Sequence, residues 1–268
     1  MRLAFPIIAA GVLLGLAPAD AAGVSMLDDP SLTGASRYER CLTLAKESAH
    51  DAVSAADAWH NAGGGAAALH CEALALTGLH RYAEAAVKLD QAAMVAPGAE
   101  HDLRIALYDQ AGNAWLLAGN AEKAEAAFNT AVILSPGDED ILFDRARARA
   151  ARHDWSGAES DLTRLLQLDG DRADAWVLRA SARHAEGRRA EASADIAHAL
   201  AVYPDYPEAL VERGTMKLES GDANGARADW QTVIHDAPNG DAANAARQHL
   251  ADMTTAPPPA KPAKPAGK

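Results

Sequence analysis

Two kinds of residue in this chain have types and spacings that suggest chemistry. Cys41 and Cys71 are its only cysteines, and two thiols can close a disulfide in an oxidising compartment. His50, His60, His70 and His80 recur every ten residues, which invites comparison with a metal site. On a single helix, ten residues rotate a side chain by about 1000°, roughly 80° short of whole turns. The four histidines would therefore fan around the axis instead of converging. No CxxC or HxxxH cluster accompanies them, and there is no HExxH pair, GxSxG elbow or GxxxxGK[ST] loop. Metal binding, a cofactor and catalysis are not expected.

The elements that position these residues read as helices. Of 268 residues, 49% are hydrophobic but only 5% aromatic, so alanine carries much of the apolar content. Such a composition suits helices packed at short range and argues against a sheet built from β-branched and aromatic residues. The first 22 residues, MRLAFPIIAAGVLLGLAPADAA, set one basic residue (Arg2) before an apolar run from Leu3 to Leu16 and end in small residues. That is the layout of a secretory signal peptide, with cleavage after Ala19 or Ala21; an uncleaved anchor is the alternative. Residues 1–21 are assigned to the signal, and 22–32 to a flexible linker. No integral membrane span is expected in the rest. A formal charge of −12 makes nucleic acid a poor partner. The final segment, TTAPPPAKPAKPAGK (254–268), is rich in proline and lysine and reads as an extended, disordered tail.

The stretch AVYPDYPEAL, 201–210, stops one helix at Pro204 and restarts with Pro207 in the first turn of the next. Asp205 and Glu208 have the spacing of an N-terminal capping box. This corner recurs, since Pro136, Gly170, Pro204 and Pro238 stand 34 residues apart. Three other series keep that step: Ala124, Ala158, Ala192 and Ala226; Phe128, Leu162, Ile196 and Trp230; Gly112, Ala146, Ala180 and Gly214. Turns at Gly119-Asn120, His153-Asp154, Gly187 and Gly221-Asp222 split each unit into two helices of about a dozen residues. A further copy upstream has Leu69, Ala73, Ala85, Leu89, Ala92 and Pro97 in register, but Pro97 to Pro136 spans 39 residues. The extra residues, near Glu100 to Arg104, should lengthen the next first helix by more than a turn or loosen its entry.

These units resemble the tetratricopeptide-repeat family, with a small residue in the first helix, alanine in the second and proline at the corner. The resemblance covers about residues 66 to 240. It implies an all-α, right-handed superhelical solenoid of antiparallel helix pairs, with about five full repeats at 66–99, 105–138, 139–172, 173–206 and 207–240. A degenerate hairpin at 33–65 and a closing helix at 241–253 would cap the ends. The chain departs from the family pattern at Arg149, Arg183 and Lys217, where a large apolar or aromatic residue is usual, as at Trp115. Their stems are expected to lie on the core and their charges to point outward.

Arg145, Arg179 and Arg213 each stand 16 residues before Asp161, Asp195 and Asp229. Antiparallel helices bring such positions opposite one another. Upstream the equivalents are Glu72 and Lys88, with the signs swapped, and Ala111 and Ala127, with both charges gone. The positions change together, which predicts interhelical ion pairs, each worth about 0.2 to 1 kcal/mol if exposed. Stacking would also set Cys41, on the degenerate hairpin, beside Cys71, on the first helix of the following unit. A disulfide is predicted there, worth about 3 to 4 kcal/mol by loop entropy, with two buried thiols as the alternative.

In the family that the chain resembles, the first helices line a concave groove that binds extended peptides or helices. The corresponding face here carries Asn113, Phe143, Arg147, Val177, Ser181, His184, Val211 and Thr215. Phe143, Val177 and Val211 share one register and form an expected apolar stripe; Asn113 and Arg147 suit a carboxylate or backbone carbonyl. The closing helix or a second copy of the chain are alternative covers for the stripe. The lysine-and-asparagine carboxylate clamp of some relatives is not matched, because Asp109 stands at the lysine position. The implied role is a non-enzymatic interaction scaffold, soluble in a bacterial-type periplasm, with a protein or peptide partner. A cell-wall or polysaccharide-associated accessory is the alternative, for which Phe143 is the one aromatic platform residue found.

Overall fold

The computed structural model describes Leu27 and residues 32–255. The expected signal peptide and nearly all of the tail lie outside the described residues. Those residues form α-helices joined by short turns, with no strand among them. The chain falls into two compact units that divide between Leu103 and Arg104, inside the first turn of the helix His101–Leu117, most of which belongs to the second unit.

The first unit contains α1 (Gly34–Glu47), α2 (Ala49–Trp59), α3 (Gly65–Gly78) and α4 (Tyr82–Val95). Thr33 starts α1 with a capping box: its hydroxyl accepts from the Ser36 N–H, and the Ser36 hydroxyl accepts from the Thr33 N–H. A π turn, His60–Gly64, breaks the path from α2 to α3. Gly63 and Gly65 hold φ of +93° and +56° there, a region that side chains resist. Cys41 and Cys71 form the predicted disulfide between α1 and α3, with their Cα atoms 6.2 Å apart. Leu44, Ala52, Ala55, Ala56, Trp59 and Ala68 pack around it. Leu27 joins this cluster and is 1% exposed. Leu27, within the stretch expected as a flexible linker, is therefore anchored, because its apolar side chain fills a slot in the disulfide-centred core.

The second unit contains α5 (His101–Leu117), α6 (Ala121–Leu134), α7 (Glu139–Ala151), α8 (Trp155–Leu168), α9 (Ala173–Ala185), α10 (Arg189–Val202), α11 (Pro207–Glu219), α12 (Ala223–Asp236) and α13 (Asp241–Thr255). Helix α5 has 17 residues where α7, α9 and α11 have 13. The insertion near Glu100 thus went into the helix itself and extended it by about one turn. Successive helices pack against each other from α6 to α13, and the first helices α7, α9 and α11 also touch in a row. Helix α13 covers the last hairpin, with Ala243 and Ala246 buried beside Trp230 and Val233.

Each mid-repeat turn works the same way. The second residue after each first helix is left-handed: His80 (φ +58°), Gly119 (+74°), His153 (+61°), Gly187 (+78°) and Gly221 (+91°). The N–H one residue later reaches back to the carbonyl five residues before it, as in Asn120 to Trp115, Asp154 to Arg149 and Asp222 to Lys217. Asn120, Asp154 and Asp222 then cap the second helix by accepting from the N–H groups of Lys123, Gly157 and Gly225. One residue closes one helix and opens the next. The expected capping box at Asp205 does not form. Tyr206 occupies the N-cap of α11 without a side-chain bond, and Pro207 follows it. Proline lacks the N–H that would need a partner and already holds the helical φ, so the carboxylate is dispensable.

The small and large series meet inside each hairpin. A Cβ at Gly112 would lie 2.5 Å from the Phe128 ring, and one at Gly214 would collide with the Trp230 indole. The corresponding positions in the two middle repeats are Ala146 with Leu162 and Ala180 with Ile196, all buried. Glycine stands opposite the aromatic rings and alanine opposite the aliphatic chains, so summed volume is kept within the register.

All the expected ion pairs form, and their carboxylates are buried. Arg145 grips Asp161 at 2.5 and 2.9 Å, Arg179 grips Asp195 at 2.9 and 3.0 Å, and Arg213 grips Asp229 at 2.8 and 2.9 Å. In the first unit Lys88 meets Glu72 at 2.9 Å with the signs exchanged. The aspartates are 3%, 2% and 6% exposed, so the value expected for exposed pairs does not apply: removing a partner strands a buried charge. Arg149, Arg183 and Lys217 also differ from expectation. They turn inward to the same aspartates, at 2.7, 2.8 and 2.8 Å. A buried carboxylate has more lone pairs than one guanidinium fills, and these side chains satisfy the remainder.

Candidate functional site

Helices α5, α7, α9 and α11 carry the eight residues singled out in the sequence. Asn113 on α5 donates from Nδ2 to Asp144 Oδ2 on α7 at 2.6 Å. Arg147 donates from Nη1 to Asp144 Oδ1 at 2.9 Å and to Asn113 Oδ1 at 3.5 Å. Asn113 and Arg147 therefore meet through Asp144, a residue that the sequence reading missed. Its signal lay in the spacing: Asp109 with Asn113 and Asp144 with Arg147 sit one turn apart on adjacent first helices. The Arg147 side chain is 47% exposed and keeps part of its fork open to solvent.

One turn before Asn113, the Asp109 Oδ1 atom is buried and makes no hydrogen bond among the described residues. Burial pushes this carboxyl up to about 6, and the neighbouring negative charges of Asp144, Asp138 and Asp140 add to the effect. The upper end of the face is thus acidic, with Arg147 as the cation within it.

Phe143, Val177 and Val211 occupy one register on α7, α9 and α11, and each is half-buried. The Arg172 guanidinium lies 5.4 Å from the centre of the Phe143 ring. Val177 packs on the buried clusters of Ala173, Ala199 and Ala209 and of Ala180, Ala192 and Ile196. Val211 packs on the cluster around Trp230, and its carbonyl accepts from the indole Nε1 at 3.1 Å. The more open apolar side chains of this unit lie elsewhere, at Leu117 (61%), Ile133 (77%) and Leu168 (53%). Thr215 donates to the Val211 carbonyl at 3.1 Å, and Ser181 is half-buried three residues before His184.

His184 bridges α9 to α11, with Nδ1 3.1 Å from Glu212 and Nε2 2.9 Å from Glu219. Burial alone would lower its pKa, but the two glutamates outweigh that and raise it. The four histidines at ten-residue intervals do not converge. His70 bonds Tyr38, His80 bonds Tyr82, and no group of three metal-ligating side chains occurs among the described residues.

No protein-family model and no curated protein matches the chain. Solved structures do. A thermophilic TPR protein of Thermus thermophilus, TTC0263, superposes with a TM-score of 0.56 at 18% identity, covering 69% of this chain and 97% of that one. Residues 41 to the end of MamA from Desulfovibrio magneticus RS-1 give 0.55 at 16% identity, covering 63% and 93%. YrrB, described as a TPR protein with an unusual peptide-binding site, gives 0.50 at 17% identity, covering 72% and 96%. The fold is the all-α tetratricopeptide-repeat fold. No described helix is long and apolar enough to cross a membrane.

Proposed function

We propose that this protein is a non-enzymatic interaction scaffold of a bacterial-type cell envelope, binding an extended peptide or a helix of a partner along α5, α7, α9 and α11. The observation that carries the reading is the Asn113–Asp144–Arg147 network: it orients a half-exposed guanidinium on two adjacent first helices, above the register of Phe143, Val177 and Val211. An oriented fork beside apolar side chains suits a peptide segment that pairs an acidic group or carbonyl with apolar residues. Ser181, His184 and Thr215 line the continuation of this surface. The peptide-binding site attributed to YrrB supports such a use of the fold. The Cys41–Cys71 disulfide supports export to the periplasm, where disulfides persist.

The test is capture from a periplasmic extract of the source bacterium. The protein is compared with a Phe143→Glu, Val177→Glu, Val211→Glu variant whose circular dichroism is unchanged. Because Val177 and Val211 are half-buried, Arg147→Glu serves as a second variant at an open position. A partner kept by the unmodified chain and lost by either variant, with a peptide of that partner competing, supports the reading. Equal capture by all three contradicts it.

A further inference from the structure

Two of the stacked interfaces in the second unit are closed by side chains from the preceding hairpin, and a third is not. Where α6 meets α7, Asn129 accepts from Arg145 Nη1 at 3.0 Å, and Glu125 pairs with Arg149 Nε at 3.1 Å. Where α8 meets α9, Thr163 accepts from Arg179 Nη1 at 3.1 Å, and Glu159 pairs with Arg183 Nε at 2.8 Å. One repeat later the same positions on α10 hold Ala197 and Ser193. Neither carries a negative charge to pair with a cation.

Arg213 and Lys217 consequently share Asp229 alone among the described residues. Arg213 Nη1 makes no hydrogen bond there, whereas its two counterparts do. In place of the absent glutamate and hydroxyl is a cavity of about 720 Å³ between α10 and α11. Ile196, Leu200 and Met216 supply its apolar wall, and Arg213 and Lys217 its cationic end. Their side chains are 40% and 32% exposed, against 10% and 15% for Arg179 and Arg183. Arg189 stands at the mouth and pairs with Glu219 at 3.2 Å. The volume falls in the range of small-molecule sites, roughly 300 to 1,000 Å³. By helical periodicity Arg213, Lys217 and Ser220 face away from Val211, Thr215 and Leu218, so this site is separate from the peptide surface.

We propose that this cavity binds a small organic carboxylate with an apolar body, of the fatty or arylalkanoic acid class. The carboxylate takes the place that Glu159 holds one repeat earlier, bonding Lys217 and the open Nη1 of Arg213. The apolar body lies along Ile196, Leu200 and Met216. Two cations facing one protein carboxylate leave a net positive charge at that end, which selects an anion over an alcohol or amine.

Isothermal titration of the full chain with decanoate tests this, with decanol as the uncharged counterpart. Ser193→Glu restores the carboxylate of the preceding repeats and fills the anion position from within. Ala197→Trp, from an exposed position on the cavity wall, fills the apolar part without changing charge. The expected result is saturable one-to-one binding of decanoate, at least about tenfold weaker in each variant and for decanol, with both variants melting at or above the temperature of the unmodified chain. Absence of saturable binding, an affinity that Ser193→Glu leaves within about twofold, or equal binding of decanol overturns the proposal.

Discussion

The interface around Arg179 and the interface around Arg213 are built on one plan and finished differently. Both hold an arginine forked onto a buried aspartate, with a second cation added from the next helical turn. Around Arg179 the preceding hairpin adds Thr163 and Glu159, and Arg188 closes on Glu159 at 2.5 Å. Around Arg213 it adds Ala197 and Ser193, and a cavity remains. The repeat therefore specifies the pair within a hairpin, while residues outside the repeat's small and large series decide whether the seam between hairpins is closed or left open.

The sharpest way to break this comparison is to remove the aspartates. Asp195→Ala leaves Arg179 and Arg183 buried without their shared carboxylate and is expected to cost about 3 to 5 kcal/mol in urea unfolding. Asp229→Ala leaves Arg213 and Lys217 open to water and should cost about 1 to 2 kcal/mol. Equal losses would show that the two seams are equivalent. Burial pushes the Asp229 carboxyl up, but Arg213 and Lys217 outweigh it and hold it below its usual value. Its folded pKa lies under its unfolded one, so its contribution is complete above about pH 4 and fades as the pH falls through the folded value.

The first unit gives the covalent counterpart of a closed seam. The Cys41–Cys71 bridge has a sequence separation of 30, and replacing both cysteines by alanine should destabilise this unit by about 3 to 4 kcal/mol. Melts with and without reductant check this; a change of less than about 1 kcal/mol would assign the stability of this core to packing alone. Asp109 offers a smaller, pH-dependent contrast. Its carboxyl is raised to about 6, so the native state holds its proton more tightly than the unfolded chain. The contribution of Asp109 should be greatest below the ordinary carboxylate pKa and decline as the pH rises through 6. Asp109→Asn should remove that decline and gain about 1 kcal/mol at pH 8, as measured by urea unfolding across pH. The smallest effect belongs to Ser193→Glu without ligand, a gain of up to about 1 kcal/mol as the open seam acquires the missing pair.

Much of the fold was legible because it is written in local terms. The 34-residue step of small and large positions implies paired helices, and the turn residues sit where a left-handed conformation or a cap is needed. The charge swap from Arg and Asp to Glu and Lys was readable because the two positions change together along one chain. Asp144 escaped notice because its partner Asn113 lies 31 residues away, off the repeat step. The inward turn of Arg149, Arg183 and Lys217 was misjudged because a long cation on a helix face reads equally well as a solvated one.

By itself, then, the sequence determined the helices, their turns, the opposition of glycine to aromatic rings and alanine to aliphatic chains, and the cysteine pair. Those follow from periodicity, capping and volume, which act over a few residues or one repeat. Only the tertiary structure decided that the carboxylates of the ion pairs are buried, that Asp144 joins Asn113 to Arg147, and that a cavity opens where Ser193 and Ala197 stand. Each depends on how closely neighbouring helices approach and how much water remains between them, and no spacing along the chain records that distance.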